Sequence, residues 1–163
     1  MTALRRRPVG RGVGLLRAYR LSFDIWGLGL FLLVMLPNVI WFNLPAPNDI
    51  LRRESVTPVL DGLGSVCQVL FVAALCAVVN RERKKLRFTP LIWGCIVCGL
   101  LYYLGWGLYY AGIVHPAVIL LLTVPPCLCF FFFALDRKNY VAGIPIVGFA
   151  VCHLLYGIAN FMI

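Results

Sequence analysis

Five long apolar segments constrain the fold of this chain more than any other feature of its sequence. They cover about residues 25–42, 58–79, 89–114, 116–135 and 140–162. Each approaches or exceeds the roughly 20 apolar residues that a helix needs to cross a bilayer. Strand-like alternation is absent, and a helix satisfies its own backbone hydrogen bonds in lipid. The segments therefore predict an all-α integral membrane protein, a bundle of five transmembrane helices.

The composition agrees with lipid as the surrounding medium. Hydrophobic residues make up 62% of the 163 residues and charged residues 13%, whereas a soluble domain is typically about half apolar and about a quarter charged. The seven cysteines lie inside apolar segments, so we expect them to pack as small hydrophobic residues rather than to form a disulfide framework. We expect a basic tail, 1–24, followed by a single transmembrane domain, 25–163.

The basic residues predict how the chain is threaded. Six arginines precede the first segment, five Lys and Arg lie in 81–87, and two lie in the connection before the fifth segment. The loop at 43–57 holds two, and the turn around residue 115 holds none. By the positive-inside rule, this distribution predicts a multi-pass protein of the cell membrane with its N-terminus in the cytoplasm and its C-terminus outside. We expect the first segment to be retained, because no A-x-A-like cleavage site follows it closely.

The net charge of +9 bears on partners as well. In a membrane protein, clustered Lys and Arg more often report topology than nucleic-acid binding, so we expect no nucleic acid. The expected partners are the lipid bilayer and anionic head groups at the cytoplasmic face, where each basic residue gains about 1 kcal/mol. Glycines in the segments permit close helix packing. A homo-oligomer or a complex with another membrane protein therefore remains a possible arrangement.

Polar residues within the apolar segments fall on two helix faces. They are Asp61, Ser65, Gln68, His153, Tyr156 and Asn160. The first three are spaced i, i+4, i+7, and the last three share one face of the fifth segment. Isolated polar side chains are costly in hydrocarbon, so we expect the two faces to meet. Counting depth from the outer surface predicts the pairs Asp61 with Asn160, Ser65 with Tyr156, and Gln68 with His153.

A seventh polar residue, Tyr102, lies near the middle of the third segment, where its hydroxyl needs a partner. We expect it to line the same polar interior, with Asn38 joining from the first segment. The seven residues are thus predicted to bind a ligand in an outward-facing pocket between spans two and five. His153 is the member whose charge can change near neutral pH, which would permit proton coupling. The alternative is a set of dry hydrogen bonds that fix helix register.

No motif in the sequence indicates a known reaction. H-E-x-x-H, G-x-S-x-G and the P-loop are all absent. The C-x-x-C at 95–98 lies in an apolar helix, without the loop cysteines that a thiol oxidoreductase needs or two further ligands for zinc. We therefore expect no cofactor and no metal, and the absence of these motifs favours a non-enzymatic function without deciding against an enzyme.

Three functions remain open, and each predicts a different interior. The leading hypothesis is a small binding or transport module, which predicts an internal cavity that reaches both polar faces. The second is a structural or assembly subunit, or a homo-oligomeric interaction protein, which predicts a filled core. The third is a lipid-modifying membrane enzyme that uses His153 and Asp61, which predicts contact between these two side chains.

Overall fold

A computed structural model of the chain describes residues 18–83 and 85–162, so most of the predicted basic tail, residues 1–17, lies outside the described residues. Five helices follow one another: α1 (Ile25–Asn43), α2 (Pro58–Ala77), α3 (Pro90–Tyr110), α4 (Pro116–Asp136) and α5 (Tyr140–Phe161). All five are long and apolar enough to cross a membrane. The prediction of an all-helical fold with five potential membrane spans is confirmed.

The helix starts follow from local sequence. Proline occupies the first position of α2, α3 and α4, where its missing N–H would be unpaired in any case. The side chains of Asp24, Thr89 and Asn139 precede α1, α3 and α5, and each accepts a hydrogen bond from a first-turn N–H. These caps satisfy backbone donors that the helix itself leaves unpaired.

Two helices end before their predicted segments do, and both differences have a local cause. The third helix stops at Tyr110 rather than at residue 114, because Gly112 takes a positive φ of 82° and turns the chain. The second stops at Ala77 rather than at residue 79, because Val78–Asn80 forms a strand, β2. That strand pairs antiparallel with a second one formed by Tyr19–Leu21, β1, which the sequence did not predict.

The helices pack in a closed series. The extensive contacts are α3 with α4, α4 with α5, and α5 with α2, whereas α1 touches α2, α3 and α4 more sparsely. We call the end that carries 18–24, 78–89 and 137–139 the basic end, and the end that carries 44–57 and 111–115 the loop end. The loosely packed α1 is the helix that decides how much space remains inside the bundle.

A buried charge cluster closes the basic end. The Asp24 carboxylate, 5% exposed, accepts hydrogen bonds from Arg83 and Arg137 as well as from the N–H of Trp26. Beside it, the Asn139 amide donates to two carbonyls at the end of α2 and the start of β2, at 3.0 and 2.8 Å. These bonds tie α1, α2 and the turn between α4 and α5 together at this end.

Candidate functional site

A cavity of about 470 Å³ lies in the loop-end half of the bundle. Its wall draws on all five helices, through residues within 31–42, 60–71, 102–106, 119–130 and 149–161. The volume falls within the range of about 300–1,000 Å³ that is typical of small-molecule sites. Wall residues Phe42, Asp61 and Ser65 are exposed, so the cavity opens to the surface between α1 and α2.

Six of the seven predicted site residues lie on this wall. They are Asp61, Ser65, Gln68, Tyr102, His153 and Tyr156. The seventh, Asn160, instead fastens the 44–57 loop to α5. Its Oδ1 accepts from the N–H of Val56 at 2.7 Å, and its Nδ2 donates to the Thr57 hydroxyl at 2.9 Å. That these residues bind a ligand stays a prediction.

The predicted depth pairing of α2 and α5 is wrong by about one turn. Gly64 packs against Cys152, since a Cβ added at Gly64 would lie 3.3 Å from the Cβ of Cys152. Asn160 is level with Thr57, just before α2 begins, and not with Asp61. A shift of about four residues corresponds to about 6 Å along a helix. It places Asp61 one turn deeper relative to α5 than predicted, at about the level of Tyr156.

Part of the polar wall is internally satisfied. Asn38 donates to the Tyr102 hydroxyl at 2.7 Å, which links α1 to α3, a pairing that the sequence did not predict. Ser65 donates to the carbonyl of Asp61 at 2.9 Å, one turn back along α2. Thr123, a wall residue absent from the predicted set, donates to the carbonyl of Ile119 at 2.7 Å. With a second bond from Asn38 to the carbonyl of Val34, these bonds use the N–H groups of Asn38 and the hydroxyl proton of Thr123, so both side chains can offer a ligand only acceptor oxygens.

Four predicted residues remain unsatisfied. Within residues 18–83 and 85–162, the side chains of Asp61, Gln68, His153 and Tyr156 make no hydrogen bond, although the Asp61 charge acts electrostatically on both His153 and Tyr156. They come from the two helices that the sequence paired, and all face one cavity. Their polar atoms are therefore available to water or to a bound molecule.

The deep end of the cavity is aromatic. The Phe71 ring packs against the rings of Phe130 and Phe149, with centroids 5.0 and 5.3 Å away. The imidazole of His153 stacks on Phe149, with centroids 5.0 Å apart and an interplanar angle of 16°. Sequence reasoning missed these phenylalanines, because an inward-facing phenylalanine in an apolar helix looks the same as a lipid-facing one.

Trp106 adds an unpaired donor to the wall. Its side chain is buried, with 6% of its surface exposed, and its indole N–H has no acceptor among the described residues. Tyr102 packs edge-on against it, with ring centroids 6.4 Å apart, but its hydroxyl does not serve as an acceptor for the indole N–H. An unpaired buried donor costs about 1–3 kcal/mol, and a molecule in the cavity that carries an acceptor would relieve this cost.

A hydrogen-bonded cluster around Asp49 covers the loop end of the cavity. Its carboxylate accepts from Trp41 Nε1 at 2.9 and 3.0 Å, from the Tyr109 hydroxyl at 2.8 Å and from Arg52 Nε at 2.8 Å. Burial raises the pKa of Asp49, but these hydrogen bonds outweigh burial and hold the pKa below its usual value of 3.8. Trp41 and the neighbouring Leu51 both line the cavity.

The sequence offers one weak signal for this cluster, the i, i+3 spacing of Asp49 and Arg52 in the loop. The remaining partners come from α1 and α3 and share no local pattern with it. Within residues 18–83 and 85–162, no group of three or more His, Cys, Asp or Glu side chains is arranged to hold a metal ion.

The described wall residues thus present one carboxylate, a few neutral polar groups and many aromatic rings to the cavity. Among the described residues that line the cavity, Asp61 is the one Asp, Glu, Lys or Arg. No protein-family model, no curated protein and no solved structure matches this chain.

Proposed function

We propose that this chain is a small polytopic membrane protein that binds or transports a small molecule in this cavity, which the polar faces of α2 and α5 line. One observation carries the proposal: Asp61, Gln68, His153 and Tyr156 face one cavity of about 470 Å³ without hydrogen bonds to the described residues. Polar groups in a membrane interior are costly unless they find partners. A ligand, with or without water, provides those partners.

The two alternatives have less support. An assembly subunit predicts a filled core, which disagrees with a cavity of this size. An enzyme that uses Asp61 and His153 predicts direct contact, and among the described residues no hydrogen bond or ion pair joins these two side chains. Binding needs neither a filled core nor a catalytic pair.

We further propose that the basic end faces the cytoplasm and the cavity opens toward the outside of the cell. Thirteen of the 15 Lys and Arg residues belong to the N-terminal tail and the connections at the basic end, as the positive-inside rule favours. A reporter fused to the C-terminus and detectable only from outside intact cells tests this orientation. A silent reporter on well-expressed protein would reverse the orientation but leave the cavity unchanged.

The binding proposal is tested with 1-aminoanthracene, a neutral aromatic fluorophore whose emission rises in apolar cavities. Purified protein in non-ionic detergent is expected to show saturable energy transfer from tryptophan to the probe, because Trp41 and Trp106 line the cavity. Ser65→Phe fills the opening and should abolish the saturable signal. A saturable signal that survives this substitution unchanged would place the probe elsewhere and contradict the proposal.

Val66→Phe is the matched control. Val66 is 56% exposed and belongs to the outer surface of α2, next to Ser65 in sequence but not among the wall residues. The same side chain is added to the same helix turn, so general effects on folding and on probe partition into detergent should be equal. Val66→Phe is expected to bind the probe as the wild type does.

A further inference from the structure

We infer that the molecule bound in this cavity is a hydrophobic organic cation, with its charge at Asp61 and its apolar body against the phenylalanines of the deep end. The inference rests on the proposed binding function and adds the chemical class of the ligand. It follows from the charge of the wall, from the distribution of aromatic rings and from the exclusion of other ligand classes.

The charge of the wall favours a cation. Asp61 carries the one fixed charge among the wall residues, and no described side chain forms an ion pair with it. Arg52, at the same end of the bundle, is occupied by Asp49 at 2.8 Å and lies over the Trp41 ring at 4.9 Å. An exposed carboxylate at the mouth of an otherwise apolar cavity attracts cations and repels anions, and a cationic ligand supplies the missing counter-charge.

The rings favour an organic cation with a large apolar part. Phe71, Phe130 and Phe149 form the deep end, and Trp106 and Tyr156 line the wall between it and the opening. Aromatic faces attract organic cations and bury apolar area. Asp61 and Phe71 are ten residues apart on α2, about 15 Å along the helix. A ligand that satisfies both ends of the cavity is therefore charged at one end and apolar at the other.

Other ligand classes fit the wall less well. An anionic lipid or carboxylate would meet Asp61, and no Lys or Arg among the described wall residues offsets the repulsion. A neutral amphiphile would leave the carboxylate uncompensated. A metal ion lacks ligands, because the part of the chain that the structure describes holds no group of three or more His, Cys, Asp or Glu arranged for one.

Two probes of matched shape and opposite charge test the inference. Tetraphenylphosphonium is a hydrophobic cation, and tetraphenylborate is an anion with the same four phenyl groups. Isothermal titration calorimetry on purified full-length protein in non-ionic detergent is expected to show saturable binding of the phosphonium and weaker or no binding of the borate. Asp61→Asn should weaken phosphonium binding by about 10-fold or more, since it removes the charge that attracts the cation, and Asp61→Glu should restore it.

Glu54→Gln is the matched control. Glu54 is exposed in the loop at the same end of the bundle and does not line the cavity, so the variant loses the same net charge without changing the wall. Its phosphonium affinity should equal that of the wild type. An equal loss in Glu54→Gln and Asp61→Asn would show a general charge effect and overturn the inference.

The outcomes also separate this inference from the binding proposal. If the borate binds as well as the phosphonium, or Asp61→Asn leaves the phosphonium affinity unchanged, the ligand class is wrong. The binding proposal then still stands, provided that Ser65→Phe abolishes the aminoanthracene signal. If that signal is also insensitive to Ser65→Phe, both conclusions fall.

Discussion

Replacing Asp49 by alanine removes the acceptor that three side-chain donors share at the loop end, and the cost can be worked out from the partners left behind. Tyr109 is 0% exposed, and its hydroxyl would lose its acceptor. The Trp41 indole N–H would lose its acceptor as well. Arg52, whose side chain is 41% exposed, can turn to solvent and adds little.

A hydrogen bond to a charged group contributes about 1.5–3 kcal/mol. Two such bonds share one carboxylate here, so their losses are not additive. We therefore expect Asp49→Ala to lower the free energy of unfolding by about 3 kcal/mol. Asp49→Asn keeps one acceptor oxygen but places an amide N–H₂ against one of the donor groups. Its free energy of unfolding should therefore lie between those of Asp49→Ala and the wild type.

The dependence on pH follows from the direction of the Asp49 pKa shift. This pKa lies below its usual value of 3.8 in the folded protein, so folding favours the ionised carboxylate. The advantage of the wild type over Asp49→Ala should be complete above the pKa of the unfolded chain. It should fade as the pH falls below 3.8 and through the folded-state pKa.

The loss of unfolding free energy is measured by equilibrium unfolding, in which sodium dodecyl sulfate is titrated into mixed micelles. The titration is repeated across this pH range for the wild type and both variants. Glu54→Gln, an exposed carboxylate of the same loop, is the control and should change stability by less than about 0.5 kcal/mol. An advantage of the wild type that stays constant to well below pH 3.8 would refute the reasoning.

Two further stability predictions use the same unfolding assay. Asp24→Asn removes the charge that two arginines share in a buried site and should lower the free energy of unfolding by about 3–5 kcal/mol. The control Glu82→Gln, in an exposed ion pair at the same end, should cost less than about 1 kcal/mol. Equal losses in the two variants would contradict the assignment of a buried cluster. Gly27→Ala places a methyl group 2.6 Å from a carbonyl oxygen of α2 and should cost about 1–3 kcal/mol. Gly29→Ala, where no described atom outside its own helix lies within 4 Å, should be nearly neutral, and a neutral Gly27→Ala would argue against this packing of α1.

The helices were predictable because their determinants are local. An apolar stretch of about 20 residues can be recognised without tertiary information. Pro90 and the capping residue Asn139 then locate the starts of α3 and α5 to within one residue. The ends were less predictable. Apolar residues continue past Tyr110 into the turn, so hydropathy does not mark the bend at Gly112. The β1–β2 pair spans three residues on each side, too few for any alternating pattern to emerge.

The candidate site divides in the same way. Helical spacing was enough to find the polar faces of α2 and α5, since i, i+4, i+7 is a property of one helix. Their relative depth depends on the contact between Gly64 and Cys152, which no spacing encodes. The Asp49 cluster likewise joins a loop to two helices distant in sequence, such as α3 through Tyr109. Whether the polar faces enclose space at all depends on the position of a third element, α1.

That position is set by different contacts at the two ends of α1. At the basic end, Gly27 allows α1 to touch the Leu75 carbonyl of α2. Toward the loop end, α1 is hydrogen-bonded to α3 instead. The hydroxyls of Tyr103 and Tyr110 donate to one carbonyl in the middle of α1 and one just after its last residue, at 2.7 and 2.6 Å. The Tyr102 hydroxyl accepts from the side chain of Asn38 in α1.

Moving α1 onto α2 would close the cavity but break these three bonds. Each polar group left unpaired away from water would cost about 1–3 kcal/mol, and more in hydrocarbon. The cavity therefore persists without a ligand, because the tyrosines of α3 hold its wall open. Replacing Tyr103 and Tyr110 by phenylalanine together should let α1 close and weaken binding of 1-aminoanthracene, although neither residue lines the cavity. Unchanged binding by that double variant would show that the space is maintained by something other than these bonds.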